Sequence, residues 1–306
     1  MNIVSTIIPI FSIIILGWIS FRKGFIPNTF ITPANRLVYY LAIPAMIFRA
    51  ISQNPFNQYF NANVVIIALL SMILIFITAW FTGKMCKLKK GRLATFVQSS
   101  FHCNIGYLAL AVAYYYLGNE GFARAGILAG FVMILQNFLS VMILNFYSTK
   151  RSSENTAVLI VSKIFVNPVI ISAAAGIFFS LAGVSLPVIL SRTLDILSGL
   201  ALPTALLIIG ATLSFDLMQK QLATVLSTSI IKLLCMPGIA FLLFYLLDIP
   251  KTDYIPAFIL LASPTATLTY VMAKEMKGDT DFAVAAISLN TLLSSITFTF
   301  WLTIIT

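Results

Sequence analysis

A chain of 306 residues that is 60% hydrophobic and only 9% charged, with a mean hydropathy of +1.00, is not a soluble domain, in which about 25% of residues are charged. Its composition is that of an all-α membrane protein that crosses the bilayer many times. The net charge of +10 would suggest nucleic acid for a soluble basic domain; here the basic residues occupy short loops between apolar runs, where they set orientation.

Apolar runs of about 20 residues, the length that a ~30 Å hydrocarbon core demands, predict ten spans. They fall near 3–21, 35–53, 62–84, 94–116, 122–147, 157–181, 188–213, 222–247, 254–273 and 281–304. The first run lacks a basic leader and continues to Phe21, so it reads as a span and not as a signal peptide. With the N-terminus outside, the loops after odd-numbered spans hold thirteen basic residues: Arg22, Lys23, Arg36, Lys84, Lys87, Lys89, Lys90, Arg92, Lys150, Arg151, Lys220, Lys274 and Lys277. The other side holds Arg49, Arg124, Arg192 and Lys251, and Lys163 and Lys232 lie within spans. This bias places both termini outside the inner (cytoplasmic) membrane.

Two spans are interrupted. Ser99-Ser100-Phe101-His102-Cys103-Asn104-Ile105-Gly106-Tyr107 breaks the fourth, and Ser263-Pro264-Thr265-Ala266-Thr267 breaks the ninth. Asn and Gly weaken a helix interior, and Pro removes a backbone donor. The interruptions correspond within a repeat. An offset of 159 carries Pro9 to Pro168, Gly17 to Gly176, Leu41-Ala42-Ile43-Pro44 to Leu200-Ala201-Leu202-Pro203, and Asn104 to Ser263. The halves, 1–147 and 157–306, are joined by a polar linker, 148–156. Five spans is an odd number, so the second half enters the membrane from the opposite side. Inverted repeats with broken helices in corresponding positions are a build of secondary transporters, with the substrate near the midplane.

A helix broken at depth exposes unpaired amides at its new N-terminus, which carries about half a positive charge. Two such ends suit a small organic anion, above all a carboxylate. Asn104 can donate to it, with Ile105 and Gly106 opening the following half-helix, and Pro264, Thr265 and Thr267 line the second break. His102 is the only histidine; imidazole titrates near neutrality, so it is either a proton carrier or a packed polar residue. Lys232 is an intramembrane charge, a functional candidate unless it snorkels to an interface. Gln136 and Asn137 either contact substrate or glue helices together. Asn290, Thr291, Ser294 and Ser295 read as packing residues. Ser52, near an outer helix end, is a weaker contact candidate. Cys86, Cys103 and Cys235 form no disulfide framework or metal motif, and no metal or cofactor is expected. With one histidine, no carboxylate pair at depth and no nucleophile motif, the chain does not read as an enzyme. A channel would need continuous polar rings.

These residues resemble the auxin efflux carrier family over nearly the whole chain. Ala34-Asn35-Arg36 with Ile43-Pro44 and Ile51-Ser52-Gln53-Asn54-Pro55-Phe56 is similar to its opening signature. Asn104-Ile105-Gly106 with Gly118-Asn119-Glu120-Gly121, Gln136-Asn137, Asn167-Pro168, Lys232 with Pro237, and Ser263-Pro264 with Tyr270-Val271-Met272-Ala273 follow in order. The resemblance implies a homodimer in which spans one, two, six and seven form a scaffold. Spans three to five and eight to ten form a transport domain that moves as an elevator, with helices four and nine crossing at the substrate. The related sodium–bile acid symporters share the crossed design and supply the alternative, a sodium-coupled carrier. This chain departs from the plant pattern at Cys103, where those relatives have proline.

Overall fold

The computed structural model describes residues 3–147 and 166–305. The linker at 148–156, the start of the sixth span and Lys163 lie outside them. All regular structure among the described residues is helical. The principal rods are α1 (Ile3–Arg22), α2 (28–52), α3 (Ala62–Met85), α4 (Lys90–Phe101), α5 (105–117), α6 (119–147), α7 (Pro168–Leu181), α8 (Val188–Ala211), α9 (Leu222–Leu246), α10 (Lys251–Ala262), α11 (Leu268–Glu275) and α12 (Thr280–Ile305). Among the described residues, six helices are long and apolar enough to cross a membrane: α1, α3, the continuous stretch Ile105–Tyr147, α8, α9 and α12. That stretch turns at Gly118, whose φ of 69° is the left-handed region a side chain disfavours.

The outer surface is apolar. Ile189 is 83% exposed, Ile196 76% and Phe178 68%. Such side chains in water would form a large aggregation-prone face, whereas against lipid tails they are at home. The interior is tighter. α1 packs along α8, and α2 along α7. A Cβ on Gly17 would lie 2.2 Å from the carbonyl oxygen of Leu207, and one on Gly210 would lie 1.9 Å from that of Ile14. Small residues let two helix backbones touch where no hydrophobic drive separates protein from lipid. Gly210→Ala is therefore expected to cost about 2 kcal/mol or more, since the clash is with backbone. Gly199→Ala, with nothing within 4 Å of the added Cβ, is the control. Thermal unfolding of the two purified variants checks this.

One end of the molecule is tied by polar groups. Asn61 caps α3 by accepting from the Asn63 amide at 3.0 Å, and its own amide donates to Asp253 at 3.0 Å. Arg124 donates to the other Asp253 oxygen, also at 3.0 Å. Arg49 pairs with Asp195 at 3.1 Å, a half-exposed pair that contributes little to stability.

Candidate functional site

α4 and α10 both stop in mid-protein, and the chain leaves each in an extended conformation. His102 has φ −73° and ψ 104°, and Ser263 has φ −66° and ψ 152°. The two extended pieces meet as a short antiparallel pair with Cys103 opposite Thr265. The Asn104 amide donates to the Pro264 carbonyl at 2.8 Å, and the Ala266 amide to the His102 carbonyl at 3.0 Å. Each break thus satisfies backbone groups that the other leaves bare, as burial requires. This explains a break in the fourth span without proline at Cys103.

Side chains from three further helices hold the crossing. Gln136, on α6, accepts from the Cys103 amide at 3.1 Å. Thr265 donates to the Ser99 carbonyl at 2.6 Å and accepts from the Asn290 amide at 2.6 Å, which ties α4 to α12 through the second break. His102 is fully buried, with Nδ1 3.0 Å from the Ser140 hydroxyl. That hydroxyl already donates to the Gln136 carbonyl at 2.6 Å, so His102 Nδ1 carries the proton and donates, leaving Nε2 as a buried acceptor without a protein partner.

Lys232 does not snorkel: it is completely buried. Its ammonium donates to the Leu261 carbonyl at 2.9 Å and lies 3.3 Å from Cys103 Sγ and 3.4 Å from Met236 Sδ. Leu261 is in the last turn of α10, where carbonyls lack helical partners and carry partial negative charge. Lys232 therefore caps the C-terminal end of a half-helix through its Nζ, and none of these three partners is a carboxylate.

Other predicted residues present uncommitted groups. Asn104 is 3% exposed, and its side-chain amide nitrogen has no protein partner. In the first turns of α5 and α11 the Leu108 and Ala109 amides donate to the Asn104 carbonyl and the Thr269 and Tyr270 amides to the Ala266 and Thr267 carbonyls, which leaves the Gly106, Tyr107 and Leu268 amides without a helical acceptor upstream. Asn137 is buried with Oδ1 unpartnered. It lines a cleft of about 350 Å³ with Tyr39, Tyr40, Asn167, Leu268 and Met272. Thr267 and Tyr270 line a second cleft of about 530 Å³ with Arg22, Asn28, Thr212 and Ser214. The short helix α11 thus runs between two open clefts. Its counterpart α5 is packed: Tyr107 donates its hydroxyl to Asn35 Oδ1, and Gly106 faces Ile43 and Met133. Ser52 stands apart. Its hydroxyl bonds the Arg49 carbonyl at the end of α2, about 13 Å along the helix from Ile43 at 1.5 Å per residue.

Three helices carry a wide turn: Val38–Ala42, Ile105–Ala109 and Ile231–Cys235. Wide turns of this kind gather at functional sites. These bear Tyr39 and Tyr40, the start of α5, and Lys232. Sequence reasoning did not find the tyrosine pair or the Ser140 contact. Ser140 is four residues from Gln136, on the same helix face, and that spacing was available; the tyrosines carried no local signal. Gln136→Leu removes the acceptor of the buried Cys103 amide and is expected to cost about 1–3 kcal/mol, read as a lowered unfolding midpoint.

A broken-helix crossing with bare donors, flanked by clefts, is a geometry for holding a solute. A family model described as Membrane transport protein matches residues 2–302. The chain belongs to this family. It is accordingly a membrane transporter and not an enzyme, and the resemblance to the auxin efflux carriers is borne out. A protein of Rhizobium meliloti (strain 1021) described as "Putative malonate transporter" is 26% identical over 303 residues, covering 97% of this chain and 94% of its own. An uncharacterized transporter of Methanocaldococcus jannaschii is 25% identical over 297 residues, covering 94% of each chain. Another from Methanothermobacter thermautotrophicus is 24% identical over 305 residues, covering 98% of each.

Proposed function

We propose that this member of the membrane transport protein family is a secondary transporter for a small organic anion, a dicarboxylate of the malonate class, bound where the two broken helices cross. The observation that carries the reading is the crossing itself. It sets the N-termini of two half-helices and the unpartnered Asn104 amide at one buried place, next to the buried Nζ of Lys232. Positive helix ends and a bare amide donor are what a carboxylate needs in a low-dielectric site. The name of the Rhizobium relative favours a dicarboxylate.

In this reading the ten spans form two inverted repeats. Support comes from the packing of Gly176, whose Cβ would lie 3.2 Å from the carbonyl oxygen of Phe48. Gly17 meets the carbonyl of Leu207, and both residues of that pair are related to the first by the offset of 159. The orientation is with both termini outside the inner membrane.

Both clefts divide the same two groups of helices. Tyr39, Tyr40, Asn167, Arg22 and Thr212 belong to α1, α2, α7 and α8 or their ends; Asn137, Leu268, Met272, Thr267 and Tyr270 belong to the remainder. This favours a scaffold of α1, α2, α7 and α8, serving as a homodimer interface, against which the rest slides as an elevator. The clefts flank α11, which leads to Lys274 and Lys277, so the conformation is open toward the cytoplasm.

The test is thermal unfolding of the purified protein against small mono- and dicarboxylates. A ligand that binds only the folded state raises its stability by mass action. A saturable rise with malonate-sized dicarboxylates is expected. Equal midpoints with every carboxylate and with none would contradict the reading.

A further inference from the structure

The two clefts that flank α11 carry opposite charges. The lining of the cleft of about 350 Å³ contains one charged residue, Glu275. The lining of the cleft of about 530 Å³ also contains one, and it is Arg22. Arg22 ends α1, is exposed, and forms no ion pair among the described residues. Its guanidinium stands 5.7 Å from the centre of the Trp18 ring, and an indole face attracts a cation. Asp216 and Asp281, acidic residues close to this lining in sequence, are not part of it. The remaining polar lining is neutral and able to donate: Asn28, Thr32, Thr212, Ser214 and Tyr270. The second break also opens to this side. Pro264 and Thr265 are buried, whereas Thr267, the residue that precedes α11, is half-exposed and lines the Arg22 cleft.

We propose that the anion passes between solvent and the crossing through the Arg22 cleft, that Arg22 captures it there, and that Glu275 keeps anions out of the other cleft. A guanidinium stays charged throughout the physiological pH range. One sign of charge in a cleft with low-dielectric walls raises the local concentration of the opposite ion and its rate of entry. The same cleft that holds the charge reaches Thr267, at the N-terminal end of α11, so captured anion is delivered to the positive end of a half-helix. A dicarboxylate carries two charges and is drawn in more strongly than a monocarboxylate. Arg22 is thus a capture residue at the mouth, distinct from the groups at the crossing. The inference rests on the carrier reading for the identity of the solute, but the charge difference between the clefts stands without it.

The charge is read first without any carboxylate. Thr32→Cys in the Arg22 cleft and Val271→Cys in the Glu275 cleft, both at exposed positions, are made separately in protein whose exposed Cys86 is changed to Ser. Each is labelled with a sulfonate (anionic) and a trimethylammonium (cationic) methanethiosulfonate. At low ionic strength the anion-to-cation rate ratio is expected to be about tenfold higher at Thr32→Cys than at Val271→Cys. Arg22→Gln should lower the ratio at Thr32→Cys severalfold, Arg22→Lys should preserve it, and about 1 M salt, which screens beyond about 3 Å, should bring the two positions together. Equal ratios at the two positions, or a ratio at Thr32→Cys indifferent to Arg22→Gln, would overturn the proposal. Malonate counterflow in proteoliposomes then reads the capture. Arg22→Gln is expected to raise KM about fivefold at low ionic strength with kcat unchanged, and Glu275→Gln to leave KM within about twofold. An unchanged KM in Arg22→Gln, or a rise that salt does not erase and Arg22→Lys does not repair, would overturn the capture role. A wild type that moves no carboxylate while the labelling ratios differ as expected would contradict the carrier reading and leave the charge of the cleft standing, so the two failures are distinct.

Discussion

Asn104→Ala is expected to abolish the thermal stabilisation by dicarboxylates while leaving the ligand-free unfolding midpoint within about 1 °C of wild type, since the deleted amide has no protein partner to lose. The residue's backbone, not its side chain, pairs with Pro264, and alanine preserves that bond. The side-chain nitrogen is buried and uncommitted. A hydrogen bond to a charged carboxylate is worth about 1.5–3 kcal/mol, so affinity should fall about tenfold to a hundredfold. Isothermal binding beside the melting curve separates this from misfolding. A well-folded variant with undiminished affinity would move the anion away from the crossing.

The second large effect is at Lys232. A buried ammonium held by one carbonyl and two sulfurs is not a stabilising arrangement. Desolvating an ion costs several kcal/mol, and without a carboxylate little of that is returned. Lys232→Met keeps the chain length and removes the charge. Its ligand-free midpoint is expected to equal or exceed that of wild type. Its dicarboxylate affinity should fall about thirtyfold, which is the Coulomb energy of roughly 2 kcal/mol for unit charges about 8 Å apart at an effective dielectric of 20. Lowered stability with full affinity would assign the lysine to structure instead.

The parts of this molecule that were legible in the sequence are those written in local chemistry. Helix-weakening residues at 104 and 106 and the proline at 264 mark the two interruptions. The helical character and the breaks followed from these. The details that sequence could not give are long-range pairings. Thr265 was expected to offer its hydroxyl to substrate, but the fold spends that hydroxyl on the Ser99 carbonyl and Asn290. Asn290 read as a packing residue, and its amide is one, while its oxygen is left bare. Gln136 read as either a ligand or glue, and its oxygen serves as glue for the Cys103 peptide. Which end of an amide is committed depends on a partner 25 or 33 residues away in sequence, and periodicity carries no record of that. The same holds for Lys232: its position showed that it was deep, but not that it would cap Leu261.

The most direct test of the central claim, that the crossed breaks form the binding site of a carrier, is counterflow of labelled malonate in proteoliposomes. Exchange through a carrier needs a single site offered to one side at a time. Uptake should be saturable, faster into vesicles loaded with unlabelled malonate than into empty ones, and lost in Asn104→Ala. Unsaturable uptake that is equal in loaded and empty vesicles would contradict a carrier, and full counterflow by a well-folded Asn104→Ala would contradict the site.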